Sequence, residues 1–170
     1  MTTYHHGDLR AAVLSAAAKM IESEGLPGLS VREAARRAGV SHAAPYRHFQ
    51  RREALLAALA ADGFVELEKV LEGKAGRSLG EAYVRFALER PQRFRLMFAS
   101  RRPEARAGYE KLKARLAGLG SEVEVAAAAA WSLVHGLALL AIDGHLASDP
   151  DFLKRAIGAV RISIGAQRSA

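Results

Sequence analysis

The chain has 170 residues, half of them hydrophobic, and no cysteine. A chain of this size buries roughly 70% of its unfolded surface, so a core needs neither disulfide nor metal, and without thiols there is no thiolate nucleophile and no cysteine zinc site. The net charge is +7, and its placement says more than its size: residues 1–52 carry eight Lys and Arg against four Asp and Glu, with four of the six histidines.

The N-terminus has no apolar run that could serve as a signal peptide, so a cytoplasmic location is expected. From Asp8 to Glu24 the apolar residues Leu9, Val13, Ala16, Ala17, Met20 and Ile21 recur every three or four positions, the period of one buried helix face. Gly25 to Gly28 ends that helix, and Leu26 and Leu29 lie where apolar plugs would sit beneath the turn. Ser30 to Phe49 then spells two short helices and a tight turn. Ser30 and Glu33 have the spacing of a capping box, Gly39 fits the left-handed residue that closes the first helix, and Ser41 fits the cap of the second. Ala34, Ala35, Ala38 and Val40 are small enough for the helices to cross closely. This is a helix-turn-helix pattern, whose second helix projects into a major groove.

Beyond Phe49 the positions Leu55, Leu56, Leu59, Phe64, Leu67, Val70 and Leu71 predict one long helix running to Gly73, which outreaches a three-helix module and connects two domains. Ser78 and Glu81 repeat the capping-box spacing at the next helix, and Pro91 fits a further helix start, with Phe94, Met97 and Phe98 facing inward. Tyr109, Leu112, Leu116 and Leu119 mark another helical face.

Residues Val125 to Ile142 contain no Asp, Glu, Lys or Arg, long enough for a membrane span. The many alanines, Ser132, His135 and the acidic Glu124 and Asp143 at its ends, without interfacial Lys or Arg, favour a helix buried on several sides of a soluble protein. Asp149 and Pro150 open a last helix with Leu153, Ile157, Val160 and Ile164 on one stripe. No strand alternation and no internal repeat is found. The expected fold is all-α: a helix-turn-helix domain over residues 1–52 and a helical domain over 53–170.

Tyr4 to Arg10, Gly28 to Ser41, Tyr46-Arg-His-Phe49 and Arg52 to Leu56 together resemble the DNA-binding domain of the tetracycline-repressor (TetR) family of transcriptional regulators. Order, spacing and residue type agree over the first third of the chain. Trp131 to Gly136 is similar to the Trp-His-Gly signature of one branch of that family's C-terminal domains. The resemblance implies an all-helical homodimer on a double-stranded operator with a variable ligand-binding domain, and no cofactor is expected. Carried over by position, it puts Ser30 on a phosphate, Ser41, His42, Ala43 and Ala44 at base edges, and Tyr46 and His48 on phosphates. Arg32, Arg47 and Arg52 complete the DNA-facing set, Arg52 standing where the family usually has Lys. Pro45 departs from the family's aliphatic residue and requires the recognition helix to begin near Ser41 or His42.

Phe49 reads as core packing, and Tyr46 as a ring that packs while its hydroxyl reaches phosphate. The histidines do not converge on a metal. Phe86, Phe94, Met97, Phe98, Tyr109, Trp131 and His135 are the candidate lining of a small-molecule effector pocket, with simple architecture the other reading of Trp131, His135 and Gly136. Arg90, Arg93, Arg95, Arg101, Arg102 and Arg106 either face solvent or meet an anionic effector. The last two helices supply the expected dimer surface through Ala127, Val134, Ile157, Gly158, Arg161 and Gly165. An enzyme is disfavoured by the lack of a Gly-rich phosphate loop, a nucleophile elbow or a His-Glu-x-x-His site. The reading is a repressor released from a palindromic operator by an effector; the alternative is an activator or nucleoid-type DNA binder without one.

Overall fold

The structure, a computed structural model, describes residues 6–41, 43–99 and 102–159. Among these the chain is all helical, without a strand: α1 (His6–Glu24), α2 (Val31–Arg37), a 3-10 turn (Ala44–Arg47), α3 (Arg52–Leu71), α4 (Gly76–Glu89), α5 (Pro91–Phe98), α6 (Pro103–Arg115), a second 3-10 segment (Ala117–Glu122), α7 (Val123–Ile142) and α8 (Pro150–Ala159). Two compact units divide it, one of Met1–Val65 with Arg90–Arg101, the other of Glu66–Glu89 with Arg102–Ala170.

The first unit extends past the boundary drawn at residue 52, because the apolar stripe of α3 does not stop there. Leu55, Leu59 and Ala60 are buried in the same core as Val13, Met20, Ile21, Leu29, Val31, Ala34 and Phe49, and Leu96 of α5 joins them. Helix α5 is fixed to α1 by more than apolar contact. Its N-cap residue, Arg90, makes no side-chain cap bond, and Pro91 has no N–H to satisfy. The Glu22 carboxylate at the end of α1 instead accepts the Gln92 and Arg93 amide N–H groups at 3.1 and 2.8 Å, placing an anion at the positive end of α5. The buried guanidinium of the same Arg93 pairs with Asp62 of α3. Gly63 permits this approach, since a Cβ there would lie 2.7 Å from the Met97 sulfur.

The second unit is built on α4, whose Ala82, Tyr83, Phe86 and Ala87 are buried. Gly80 lets α7 and α8 come close: a Cβ there would meet Val134 at 3.1 Å and Ile157 at 3.3 Å. Helix α4 begins three residues earlier than a Ser78 cap predicts, so Ser78 sits inside the first turn and donates its hydroxyl to the Ala75 carbonyl at 2.8 Å. The Asp149 cap of α8 forms as expected, its carboxylate accepting the Phe152 N–H at 2.7 Å. Helix α7 differs from expectation. Only 22% of its most apolar window is buried, because the chain covers one face, through Ala126, Ala127, Ala138 and Ala141, and leaves the opposite face open.

Candidate DNA interface and the polar cluster of the second unit

Helix α2 forms where the capping pattern puts it. The Ser30 hydroxyl oxygen accepts the Glu33 N–H at 3.1 Å, which uses the oxygen as acceptor and leaves its hydrogen available to a phosphate. The reciprocal half of the capping box is replaced by ion pairs. Glu33 accepts from Arg36 at 2.7 and 2.8 Å and from Arg37 at 2.8 Å, and these two guanidinium groups, Arg36 first, hold its carboxyl down to about 2. Arg37 also clasps both carboxylate oxygens of Glu24 on α1, at 2.5 and 3.0 Å. Gly39, at φ +69°, closes the helix and lets the Val40 N–H reach the Ala35 carbonyl at 3.1 Å.

The second element is shorter than predicted. In place of an α-helix starting near Ser41 or His42 there is one 3-10 turn beginning at Ala44, with Ala43 as its uncapped start, so Ser41 is not the side-chain cap. Pro45 contributes by bringing no N–H, so no α-helical bond can run from residue 45 back to the Ser41 carbonyl, which instead accepts the Ala44 N–H at 3.3 Å in a tighter turn. Its ring is buried, and its carbonyl accepts the His48 and Phe49 N–H groups at 2.9 and 2.8 Å. The turn therefore presents Tyr46, 46% exposed, with Arg47 and His48, while Phe49 anchors it in the core, 2% exposed and 5.8 Å from the Arg10 guanidinium.

Of the other expected DNA-facing residues, Ser30, Arg32, Ser41 and Ala43 are exposed and Ala44 is half-buried, and His42 lies outside the described residues. Arg52, half-buried, donates to the carbonyls of Leu29 at 3.0 Å and Leu26 at 2.6 Å, in the loop between α1 and α2. The rigid guanidinium fork reaches the two carbonyls through two separate nitrogens, Nε and Nη2.

The expected effector residues fall in different units. Phe94, Met97 and Phe98 belong to the first, where Phe94 and Met97 are fully buried and the Phe98 ring sits 5.2 Å from Phe64 and 5.0 Å from Phe94. Phe86, Tyr109, Trp131 and His135 belong to the second, with Phe86 wholly buried. There, Trp131 and His135 meet on a residue that the sequence marks only as part of a helical face: the Trp131 indole N–H donates to the Tyr83 hydroxyl at 3.1 Å, and that hydroxyl lies 2.9 Å from His135 Nδ1. Indole is a donor only, so the Tyr83 oxygen accepts from it, and the same oxygen is within hydrogen-bond distance of His135 Nδ1. Burial lowers the His135 pKa and raises that of Tyr83. The Tyr109 ring stacks 5.5 Å from Trp131, and its hydroxyl donates toward Glu124, whose carboxylate Lys113 holds below its usual range.

The residues expected at a dimer surface are partly occupied within the chain. Ala127 and Ile157 are buried, Val134 and Ile157 close on Gly80, and a Cβ at Gly158 would lie 2.8 Å from the Arg77 guanidinium carbon. Arg161 and Gly165 lie outside the described residues. The open face of α7 is instead Val125, Ala129, Ser132, Gly136 and Leu140, spaced four, three, four and four.

Residues 13–59 match the family described as bacterial regulatory proteins, tetR family, and residues 77–160 match the tetracyclin repressor-like C-terminal domain. The chain is similar to a protein of unknown function from Rhodococcus sp. RHA1, at 33% identity over 94% of each chain with a TM-score of 0.77. It is also similar to a transcriptional regulator from the same organism, at 27% identity over 88% of this chain and 92% of the other, with a TM-score of 0.66. A TetR-family transcriptional regulator from Haemophilus influenzae Rd shares the fold at 19% identity, over 90% and 94% of the chains, with a TM-score of 0.67. No curated protein matches the chain. The class that the helix-turn-helix and the helical second unit define is that of DNA-binding transcriptional regulators. Within it, the chain belongs to the TetR family.

Proposed function

We propose that this regulator is a cytoplasmic homodimeric repressor that binds a palindromic operator and leaves it when a small-molecule effector binds the second unit. Assembly rests on one observation: the charge-free face of α7, with Val125 65% and Leu140 44% exposed on a helix apolar enough to cross a membrane. An apolar face of this length on a DNA-binding protein is matched by its own copy about a two-fold axis, which also places two recognition turns on inverted half-sites. Ala129, Ser132 and Gly136 at its middle allow close approach, as in a four-helix arrangement with α8.

Gly136 offers a clean test, because a side chain there meets nothing within 4 Å in its own chain. Gly136→Arg is expected to sediment as a folded monomer with weak operator binding; a dimer with unchanged operator affinity would move the interface elsewhere. For release, Tyr109, Trp131 and His135 supply the apolar wall and polar group that such ligands need. A ligand that weakens operator binding 100-fold must prefer the released state by about 2.7 kcal/mol.

A further inference from the structure

The six arginines between Ser30 and Arg52 fall into two groups. Arg36 and Arg37 are paired with Glu33 and Glu24, and Arg52 is held by the carbonyls of Leu26 and Leu29. Arg32, Arg47 and Arg51 are exposed and have no acidic partner among the described residues. Arg51 is also fixed in place, since its carbonyl accepts the Ala54 and Leu55 N–H groups at 3.1 and 3.3 Å, and it follows the exposed Tyr46, Arg47 and His48 by only a few residues. Two arginines at the start of a 20-residue helix oppose the helix dipole, and the carbonyl clamp accounts for one of them.

We propose that phosphate neutralisation rests on Arg32, Arg47 and Arg51, and that Arg52 is a positioning residue. Its fork holds the Leu26 and Leu29 carbonyls, and Leu29 directly precedes the Ser30 cap of α2. Arg52 thereby fixes where α2 starts and, through it, how the recognition turn is presented. Arg52 meets the two carbonyls through two separate nitrogens of a rigid planar fork, Nε and Nη2, whereas a lysine has one flexible ammonium nitrogen to place between them and holds them less firmly.

This rests on the DNA-binding reading, and its test separates the two. Binding of the full chain to mixed-sequence duplex DNA is measured against salt, alongside melting temperature. The wild type gives a steep negative log–log slope if it binds DNA at all, whichever arginines are responsible. Arg47→Gln and Arg51→Gln are each expected to flatten the slope by about 0.9 per chain bound, with melting unchanged. Arg52→Gln is expected to leave the slope intact while lowering both affinity and melting temperature, and Arg52→Lys to do the same despite keeping the charge. The proposal is overturned if Arg52→Gln flattens the slope at unchanged melting temperature, if Arg52→Lys matches the wild type in both readouts, or if Arg51→Gln leaves the slope unaltered. Should Arg52→Gln fail to fold, the Arg52→Lys and Arg51→Gln results decide.

Discussion

One hydroxyl joins the Trp131 and His135 side chains to α4. Removing it, as in Tyr83→Phe, deprives the indole N–H and the imidazole Nδ1 of their shared partner without creating a cavity, at a cost of about 1–3 kcal/mol in a denaturant titration. Trp131→Phe at the same site loses one donor and part of the stack on Tyr109, so a smaller loss for Tyr83→Phe than for Trp131→Phe would mean that packing outweighs the polar chain. The imidazole also sets a pH dependence. Its pKa is lowered by burial, so the unfolded chain binds the extra proton more readily; the stabilising effect of the neutral form is present above the unfolded pKa of about 6.5 and is lost as pH falls through the folded value. Wild-type melting temperature should therefore fall more steeply below about pH 6.5 than that of His135→Gln. Parallel curves would show that His135 does not titrate within the fold. That Trp131 and His135 act together was legible from their spacing of four on one helix, whereas Tyr83, far away in sequence, carries no local signal that it is their common partner. Arg52 meets the same limit: its position beside a helix-turn-helix suggests a phosphate, and the loop carbonyls of Leu26 and Leu29 that it also holds carry no local signal.

The elements themselves were more legible than their ends. Periodicity and punctuation located α1, α2, α3, α5 and α8, because Gly25, Gly39, Pro91 and the Asp149–Pro150 pair act through local backbone chemistry that needs no tertiary context. The recognition element shows where that logic stopped. Proline is tolerable only in a first turn, and the turn that Pro45 opens starts at Ala44 and stays 3-10, with the proline ring and Phe49 buried. Replacing Pro45 by Leu restores an N–H and relaxes Ala44, so the helix is expected to lengthen toward Ser41. Affinity for mixed-sequence DNA should change less than several-fold while the preferred operator shifts; an unchanged sequence preference would mean that the residues before Pro45 do not read bases. Between elements, Gly63 is a second test. Gly63→Ala puts a methyl group 2.7 Å from the Met97 sulfur, and should cost about 1–3 kcal/mol after the thioether moves aside. A stabilised variant, as helix propensity alone would predict, would show that α3 and α5 are loosely packed.

At the level of the whole molecule, the all-helical fold and the regulator class were readable because the helix-turn-helix is a local motif whose residues are consecutive. The division into units was not, since α5 returns to the first unit through Glu22, Arg93 and Leu96, contacts of long sequence separation that no window of the chain contains. The apolar length of α7 was visible, but which side of it the chain leaves open was decided by Gly80, Tyr83 and the alanines packed on it. Tyr46 to His48 form the proposed reading surface, and the open face of α7 is the proposed seat of a second copy. Selection of duplexes from a random-sequence pool by the purified full chain tests this most directly. The account predicts enrichment of inverted half-sites with centres about 34–36 Å apart, or a multiple of that spacing, and loss of the paired pattern with Gly136→Arg. Recovery of a single asymmetric site by the wild type, or of no sequence at all, would contradict it.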